Sequence, residues 1–177
     1  MISKILHLTA RILTRVTVGK VRIAILRKRG VKIGDDCMIF NADFSTEPYL
    51  ISIGNHVAVS NGVRFITHDG AVWIYRDEYP DLDVFGKIVV GNNTVIGMNA
   101  IILPNTVIGD NCIVAAGAVV KGKFEDNSLI MGNPAKKVMN TQLQKRMYLM
   151  SPAKFDLKKM SDQQKRKVLK ERFQLQN

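Results

Sequence analysis

The chain has 177 residues, 46% of them hydrophobic, and its 26 Lys and Arg against 15 Asp and Glu leave a net charge of +11. This length suits one domain with attachments. No apolar run reaches the length that crosses a bilayer, and no signal peptide is evident, because arginines interrupt each apolar stretch at the start. The charge is uneven: residues 1–32 carry nine bases and no acid, residues 33–120 ten acids and three bases, and residues 121–177 fourteen bases and five acids. No nucleic-acid motif accompanies this charge and no aromatics interleave the tail lysines, which argues against a nucleic-acid partner. A phosphorylated small ligand or an anionic membrane surface fits the basic clusters better.

Residues 1–30 read as a basic helical extension. Lys4, Arg11, Arg15, Arg22 and Arg29 form a stripe, and Ile5, Ile12, Val16, Ile23 and Leu26 stand near helical spacing, the pattern of an amphipathic helix. Gly19 and the run Val16-Thr17-Val18 weaken its middle. Such a helix packs on one end or side of the protein; the alternative is a membrane-surface element that brings the chain to a lipid-linked substrate.

Residues 31–140 carry a beat of six. Val90, Ile96, Ile102, Ile108, Val114 and Val120 return at every sixth position, and four residues after each stands a small or β-branched residue: Thr94, Ala100, Thr106, Cys112, Ala118. Gly or Ala often follows the aliphatic, as in Val90-Gly91, Ile96-Gly97 and Val114-Ala115. Shorter copies lie upstream at Ile33-Gly34, Ile39, Ile53-Gly54, Val59 and Phe65. Six is not a multiple of 3.6, and Gly and Asn recur too often for a long helix. Each hexad is therefore a short strand and a turn, with the aliphatic inward and Gly or Asn taking the turn. Three hexads close a triangular coil, and stacked coils bury a continuous core. The expected class is mainly β, a parallel β-helix, which the usual crossover rule would make right-handed. Cys37 and Cys112 fall at repeat-like positions and read as small buried hydrophobes of a reducing cytosol, not as a disulfide.

Two stretches break the beat. Asn41 to Leu50 is irregular. Residues 70–87 form an insert with the single tryptophan, Trp73, together with Tyr75, Tyr79, Phe85, Arg76 and four acids. A loop thrust from a regular scaffold is where function usually sits. Coils resume at Ile88 and exit through Gly132-Asn133-Pro134. Residues 141–177 form a basic helical tail, in which Ser161-Asp162-Gln163-Gln164 reads as a capping box ahead of Val168, Leu169 and Phe173.

Three histidines are available for chemistry. His7, in the basic extension, reads as incidental, and His56, in Gly54-Asn55-His56, as an exposed turn residue. His68 ends the repeat Phe65-Ile66-Thr67-His68 where the aromatic loop departs. A rigid strand end holds a general base in place yet accessible, and imidazole, with a pKa of about 6.5, suits proton abstraction near neutral pH. Position alone leaves open that His68 only caps the loop. No Ser–His–Asp or Cys–His arrangement can be read, and two usable histidines with two buried cysteines are too few for zinc, so no metal is expected.

The hexads, the His68 segment with its extruded loop, and the closing Gly132-Asn133-Pro134-Ala135-Lys136 together resemble the hexapeptide-repeat acyltransferases. The maltose, galactoside and polysaccharide-biosynthesis O-acetyltransferases are the most similar in pattern, over about residues 31–140. The resemblance implies a left-handed parallel β-helix, a homotrimer with active sites between neighbouring subunits, acetyl-CoA as donor, and His68 as catalytic base. It implies that Asn41 contacts the acceptor. Asp43 would orient acceptor or histidine, or else be simply solvated. Gly97, Met98, Ala115, Ala116 and Gly117 match the pantetheine groove, with Met98 replacing the small residue usual there. Lys121, Lys123, Lys136 and Lys137 match the basic residues that meet the nucleotide phosphates. Backbone N–H groups near Gly97 to Asn99 would stabilise the tetrahedral oxyanion. Trp73 and Tyr75 would stack on a sugar ring, or form the trimer contact.

The expected function is acetyl transfer from acetyl-CoA to a hydroxyl of a sugar or cell-surface polysaccharide precursor, in the cytoplasm, with peripheral contact at the inner face of the membrane if the N-terminal helix touches lipid. The runners-up are antibiotic O-acetyltransferases, which share the histidine before an extruded loop, and amino-sugar N-acyltransferases. A non-catalytic trimeric scaffold is the alternative of another class. Carbonic anhydrases built on this β-helix need three zinc histidines, and only His56 and His68 lie in the coils.

Overall fold

The computed structural model describes residues 19–175. The expected helix therefore has only its second half within the described residues, and Lys4, His7, Arg11 and Arg15 lie outside them. Contacts divide the chain into two units, Met1–Gln144 and Lys145–Asn177.

The first unit is a left-handed parallel β-helix. One face stacks Lys32–Ile33, Ile51–Ile53, Ile88–Val90, Thr106–Ile108 and Lys123–Phe124. A second stacks Met38–Ile39, Ala58–Val59, Val95–Ile96, Ile113–Val114 and Ser128–Gly132, and a third Arg64–Phe65, Ile101–Ile102 and Val119–Val120. The chain visits the three faces in turn. Ile88 pairs in parallel with Thr106 and Val95 with Ile113, each eighteen residues on, so three hexads make one coil. The hand is the one the family resemblance implies, and the right-handed crossover preference does not hold here. It comes from helices packing back onto a sheet, and these crossovers are themselves short strands.

Strand alternation explains the double beat of the sequence. The repeated aliphatic and the residue two before it both face inward, so Thr94 and Ile96, Ala100 and Ile102, Cys112 and Val114 are buried as pairs. Each fully buried Ile or Val contributes about 1.5–3 kcal/mol of transfer free energy. The buried threonines are satisfied by carbonyls of the coils: Thr94 Oγ1 donates to Gly109 O at 3.2 Å and Thr106 Oγ1 to Leu103 O at 2.7 Å. Cys112 is buried and Cys37 half-buried, both as free thiols, and burial pushes the Cys112 thiol up.

Glycine and asparagine divide the corner work differently from the expectation. The left-handed backbone falls mainly on polar residues, with φ of 53° at His56, 50° at Asn93, 57° at Asn99 and 56° at Asn111. The glycine that follows the inward aliphatic is instead required by close stacking. A Cβ on Gly54 would stand 2.8 Å from the carbonyl carbon of Gly91. Asn55, Asn92 and Asp110 knit the same corner, each side-chain oxygen accepting from a backbone N–H of the coil before it.

The helix Gly19–Lys28 covers the open N-terminal end. Leu26 is buried in the core. Arg22 Nη1 donates to Ile39 O at 3.4 Å, and Arg27 donates to Ile33 O and Gly34 O at 2.9 and 2.8 Å. These guanidinium groups satisfy carbonyls that a first coil leaves unpaired, and they block an otherwise open sheet edge. In its described half the basic stripe thus packs on the end of the body, the first of the two readings.

At the other end the strands Ser128–Gly132 and Ala135–Asn140 form an antiparallel hairpin through Asn133-Pro134, whose peptide is cis. The second unit contains the helix Asp162–Arg172 with the expected capping box: Gln164 N–H donates to Ser161 Oγ, and Ser161 N–H to Gln164 Oε1. Phe155 and Phe173 meet there at 6.1 Å between ring centroids.

Candidate functional site

The irregular stretch and the aromatic insert meet at His68. The first coil needs twenty residues to return, since Lys32 pairs with Ser52. Phe44 still faces inward and stacks on Phe65 at 4.7 Å. The extra residues then turn through Ser45, with φ of 56°, into a short 3-10 turn at Pro48–Leu50. This detour sets Ser45, Thr46 and Glu47 against the end of the next coil.

There the strand ends in Thr67, fully buried, and His68, exposed. Thr67 Oγ1 lies 2.7 Å from Glu47 Oε2 and 2.8 Å from Ser45 Oγ. Glu47 Oε2 is also 3.0 Å from His68 Nδ1. Burial works to push the Glu47 carboxyl up, but hydrogen bonds from Thr46, Thr67 and His68 and the histidine's charge outweigh it, and hold the carboxyl below its ordinary value. An ionised Glu47 accepts a hydrogen bond from Nδ1–H through Oε2. That selects the tautomer whose Nε2 carries the free lone pair, and Nε2 makes no hydrogen bond among the described residues. The arrangement can take a proton from a bound hydroxyl and stabilise the imidazolium that forms.

The insert is tied at its neck. Asp69 N–H donates to Val84 O at 2.9 Å and Gly86 N–H to Thr67 O at 2.8 Å, so His68 lies opposite Phe85. Asp69 caps the 3-10 helix Gly70–Tyr75, and Arg76 pairs with Asp83 at 2.6 Å. A cleft of about 360 Å³ opens between neck and coil, bounded by Glu47, His68, Trp73, Arg76 and Phe85. Trp73, 79% exposed, borders this cleft, whereas the exposed Tyr75 does not. On the other side of His68 a second depression of about 280 Å³ holds Asp43, Thr46 and Arg64. Asn41 lies further along, in a third hollow that shares Asp43 and Arg64. Asp43 Oδ1 accepts from Ser45 N–H at 3.1 Å, and the carboxylate that meets the His68 ring is Glu47. Sequence reasoning passed over Glu47. The signal for it was the extra length of the first coil.

Gly97, Met98, Ala115, Ala116 and Gly117, the residues expected to line a donor groove, lie together on successive coils. Gly97 N–H donates to Val114 O, and Gly117 N–H to Met98 O, both at 2.8 Å. A Cβ on Gly97 would stand 2.5 Å from Ala116 N, so the two coils stack too closely there for a side chain. Met98 is 54% exposed and projects from it. The expected oxyanion donors are partly occupied, because Gly97 N–H is used and Asn99 N–H donates to Asn61 O at 3.1 Å. Among the described residues the N–H groups of Met98 and Ala116 make no hydrogen bond. Lys121, Lys123, Lys136 and Lys137 are all exposed around the last coil, and the strand Ala135–Asn140 approaches Val119–Val120. Lys137 Nζ is engaged by Glu125 at 3.2 Å. His56 is an exposed corner residue whose ring bonds Asn93 Oδ1 at 2.8 Å. No helix among the described residues is long and apolar enough to cross a membrane.

Comparison with known proteins agrees with this architecture. The bacterial transferase hexapeptide (six repeats) family matches residues 87–122. Protein CapG of Staphylococcus aureus is 48% identical over 120 residues, covering 66% of this chain and 70% of that protein. A hexapeptide-repeat-containing acetyltransferase of Vibrio cholerae superposes with a TM-score of 0.57 at 22% identity, covering 76% of this chain and 88% of its own. That Vibrio protein has also been solved in complex with acetyl-CoA. A maltose O-acetyltransferase of Clostridium difficile superposes with a TM-score of 0.56 at 21% identity, covering 76% and 83%.

Proposed function

This chain belongs to the bacterial hexapeptide-repeat transferases, a family of acyltransferases, and from that premise we propose that it moves an acetyl group from acetyl-CoA to a hydroxyl of a sugar or polysaccharide precursor. The observation that carries this reading is the 3.0 Å contact between Glu47 Oε2 and His68 Nδ1 at the mouth of the cleft.

His68 Nε2 accepts the proton of the acceptor hydroxyl as its oxygen attacks the thioester carbonyl. The carbonyl π pair moves to oxygen, and the tetrahedral oxyanion is met by a backbone N–H of the donor corner, Met98 or Ala116. Collapse expels coenzyme A as a thiolate, which takes up the proton held by His68, and no covalent enzyme intermediate forms. Throughout, Glu47 holds the ring and balances its transient positive charge.

The β-helix of residues 31–140 is the catalytic unit in this reading. Pantetheine lies along Gly97, Met98 and Ala115–Gly117, and the lysines of the last coil meet the phosphates, with Lys121, Lys123 and Lys136 ahead of the engaged Lys137. Trp73 stacks on the acceptor ring. Asn41 and Asp43 contact the acceptor from the other side of His68, and Tyr75, which does not border the cleft, leaves the stacking to Trp73. A homotrimer would close each site with a neighbouring subunit, and the cytoplasm supplies acetyl-CoA. Acetylation of an antibiotic is the second reading, because the cleft is apolar on its Trp73 and Phe85 side.

The test is His68→Ala. The variant is expected to fold, bind acetyl-CoA as before in calorimetry, and lose at least ~100-fold in turnover. Near-normal turnover would remove His68 from the chemistry.

A further inference from the structure

The charged side chains around His68 are, with one exception, engaged within the chain. Glu47 holds Thr67 and His68, Asp69 caps Ala71 N–H, Arg76 pairs with Asp83, and Asp43 accepts from Ser45 N–H. The exception is Arg64. It is the residue opposite Asp43 between adjacent coils, yet no ion pair joins the two. Among the described residues its guanidinium makes no hydrogen bond and no salt bridge. It is exposed, on the outward side of the strand whose next residue, Phe65, faces the core. It lines both the depression that reaches His68 and the hollow that reaches Asn41.

A guanidinium without an internal partner has five N–H donors in a planar fork, which match the oxygens of a carboxylate or phosphate two at a time. The carboxylate that register sets beside Arg64, that of Asp43, accepts from Ser45 N–H through Oδ1.

We infer that the depression between Arg64 and His68 is an oxyanion-binding subsite, and that the acceptor carries a carboxylate or phosphate which Arg64 grips while His68 takes the hydroxyl proton. The acceptor is then an acidic or phosphate-linked sugar and not a neutral one. This deepens the acetyltransferase reading and rests on it for the word acceptor; the binding of an oxyanion at Arg64 does not depend on turnover. The neutral wall made by Trp73 and Phe85 would receive the sugar ring on one side of His68, and Arg64 its charge on the other.

The experiment is an NMR titration of the full-length protein, following the Arg64 Nε–H resonance, assigned by its disappearance in Arg64→Lys. The probes are glucose 1-phosphate and galacturonate, with glucose as the neutral control, each with and without saturating acetyl-CoA. The expected result is a saturable shift with one or both anionic probes, none with glucose, and no loss of the shift when acetyl-CoA is present. Which anionic probe acts tells phosphate from carboxylate. In Arg64→Gln, loop resonances that report the probe should need at least about tenfold more of it. No shift with either anion, or an equal shift with glucose, would overturn the subsite. A shift abolished by acetyl-CoA would assign Arg64 to the donor's phosphates and overturn it equally. Failure of acetyl-CoA to perturb any resonance would count against the acetyltransferase reading alone, and the anion result would still be read.

Discussion

Glu47 and His68 lie on successive coils, twenty-one residues apart in sequence, with Oε2 of one 3.0 Å from Nδ1 of the other. The contact exists because the first coil is two residues longer than the regular eighteen. Those residues form the turn that presents Glu47, whose side chain is 17% exposed, to a histidine side chain that is 45% exposed. A half-exposed base with a largely shielded carboxylate behind it is held in one tautomer while its outer nitrogen stays open to a ligand.

Replacing Glu47 by Gln should lower kcat about tenfold and leave acetyl-CoA affinity unchanged, because the neutral amide holds the ring but no longer balances an imidazolium. Stability adds a second readout. The carboxyl is held below its ordinary value of 4.5, so its contribution to stability is fully present above that value and disappears as pH falls through the lowered one. Wild type should therefore melt higher than Glu47→Gln at about pH 7, and the gap should close on acidification. A gap that widens in acid would contradict the assignment.

Gly54 and Gly117 should respond differently to alanine. At Gly54 a Cβ meets Gly91 C at 2.8 Å and O at 2.9 Å, so adjacent coils must separate, at a cost of about 1–3 kcal/mol. At Gly117 nothing stands within 4 Å, and only the φ of 71° is unfavourable, at roughly 1 kcal/mol. Thermal melts of the two variants test this, and equal losses would mean that stacking distance is not what selects glycine after the inward aliphatic.

Arg27→Ala removes the donors to Ile33 O and Gly34 O and exposes the first coil's edge. The expected loss is about 1–3 kcal/mol, with more self-association at high protein concentration. Denaturation midpoints and light scattering measure both. An unchanged midpoint would show that Arg27 does not hold the helix, leaving Leu26 and Arg22 as its anchors.

Trp73 borders the cleft and Tyr75 does not. Trp73→Ala should raise the acceptor KM several-fold, in line with about 0.5–1.5 kcal/mol for ring stacking, and Tyr75→Ala should leave it near wild type. The reverse ranking would move the acceptor off the cleft and onto the outer surface of the loop.

The period of six determined the parallel β-helix by itself, because no other regular structure buries a residue at every sixth position and turns at the same interval. The buried pairs such as Thr94 and Ile96, the capping box at Ser161 and the departure of the loop after His68 were legible for the same reason: each rests on neighbours a few residues apart. The hand of the coil was not, since crossover sterics in sequence terms pointed the other way. Glu47 escaped as well. Its role depends on a carboxylate from one coil meeting a histidine from the next, and such a meeting is fixed by coil length and stacking, not by any local pattern. Arg22 read as part of a basic stripe, yet only the open carbonyls of the first coil make it, together with Arg27, a cap. Arg64 carried no signal in the sequence, because only the stacking of coils sets it beside His68 with no partner for its guanidinium among the described residues. Local periodicity thus determined the scaffold and the position of the base, while tertiary stacking decided which charges are satisfied, and so where a ligand's charge can bind.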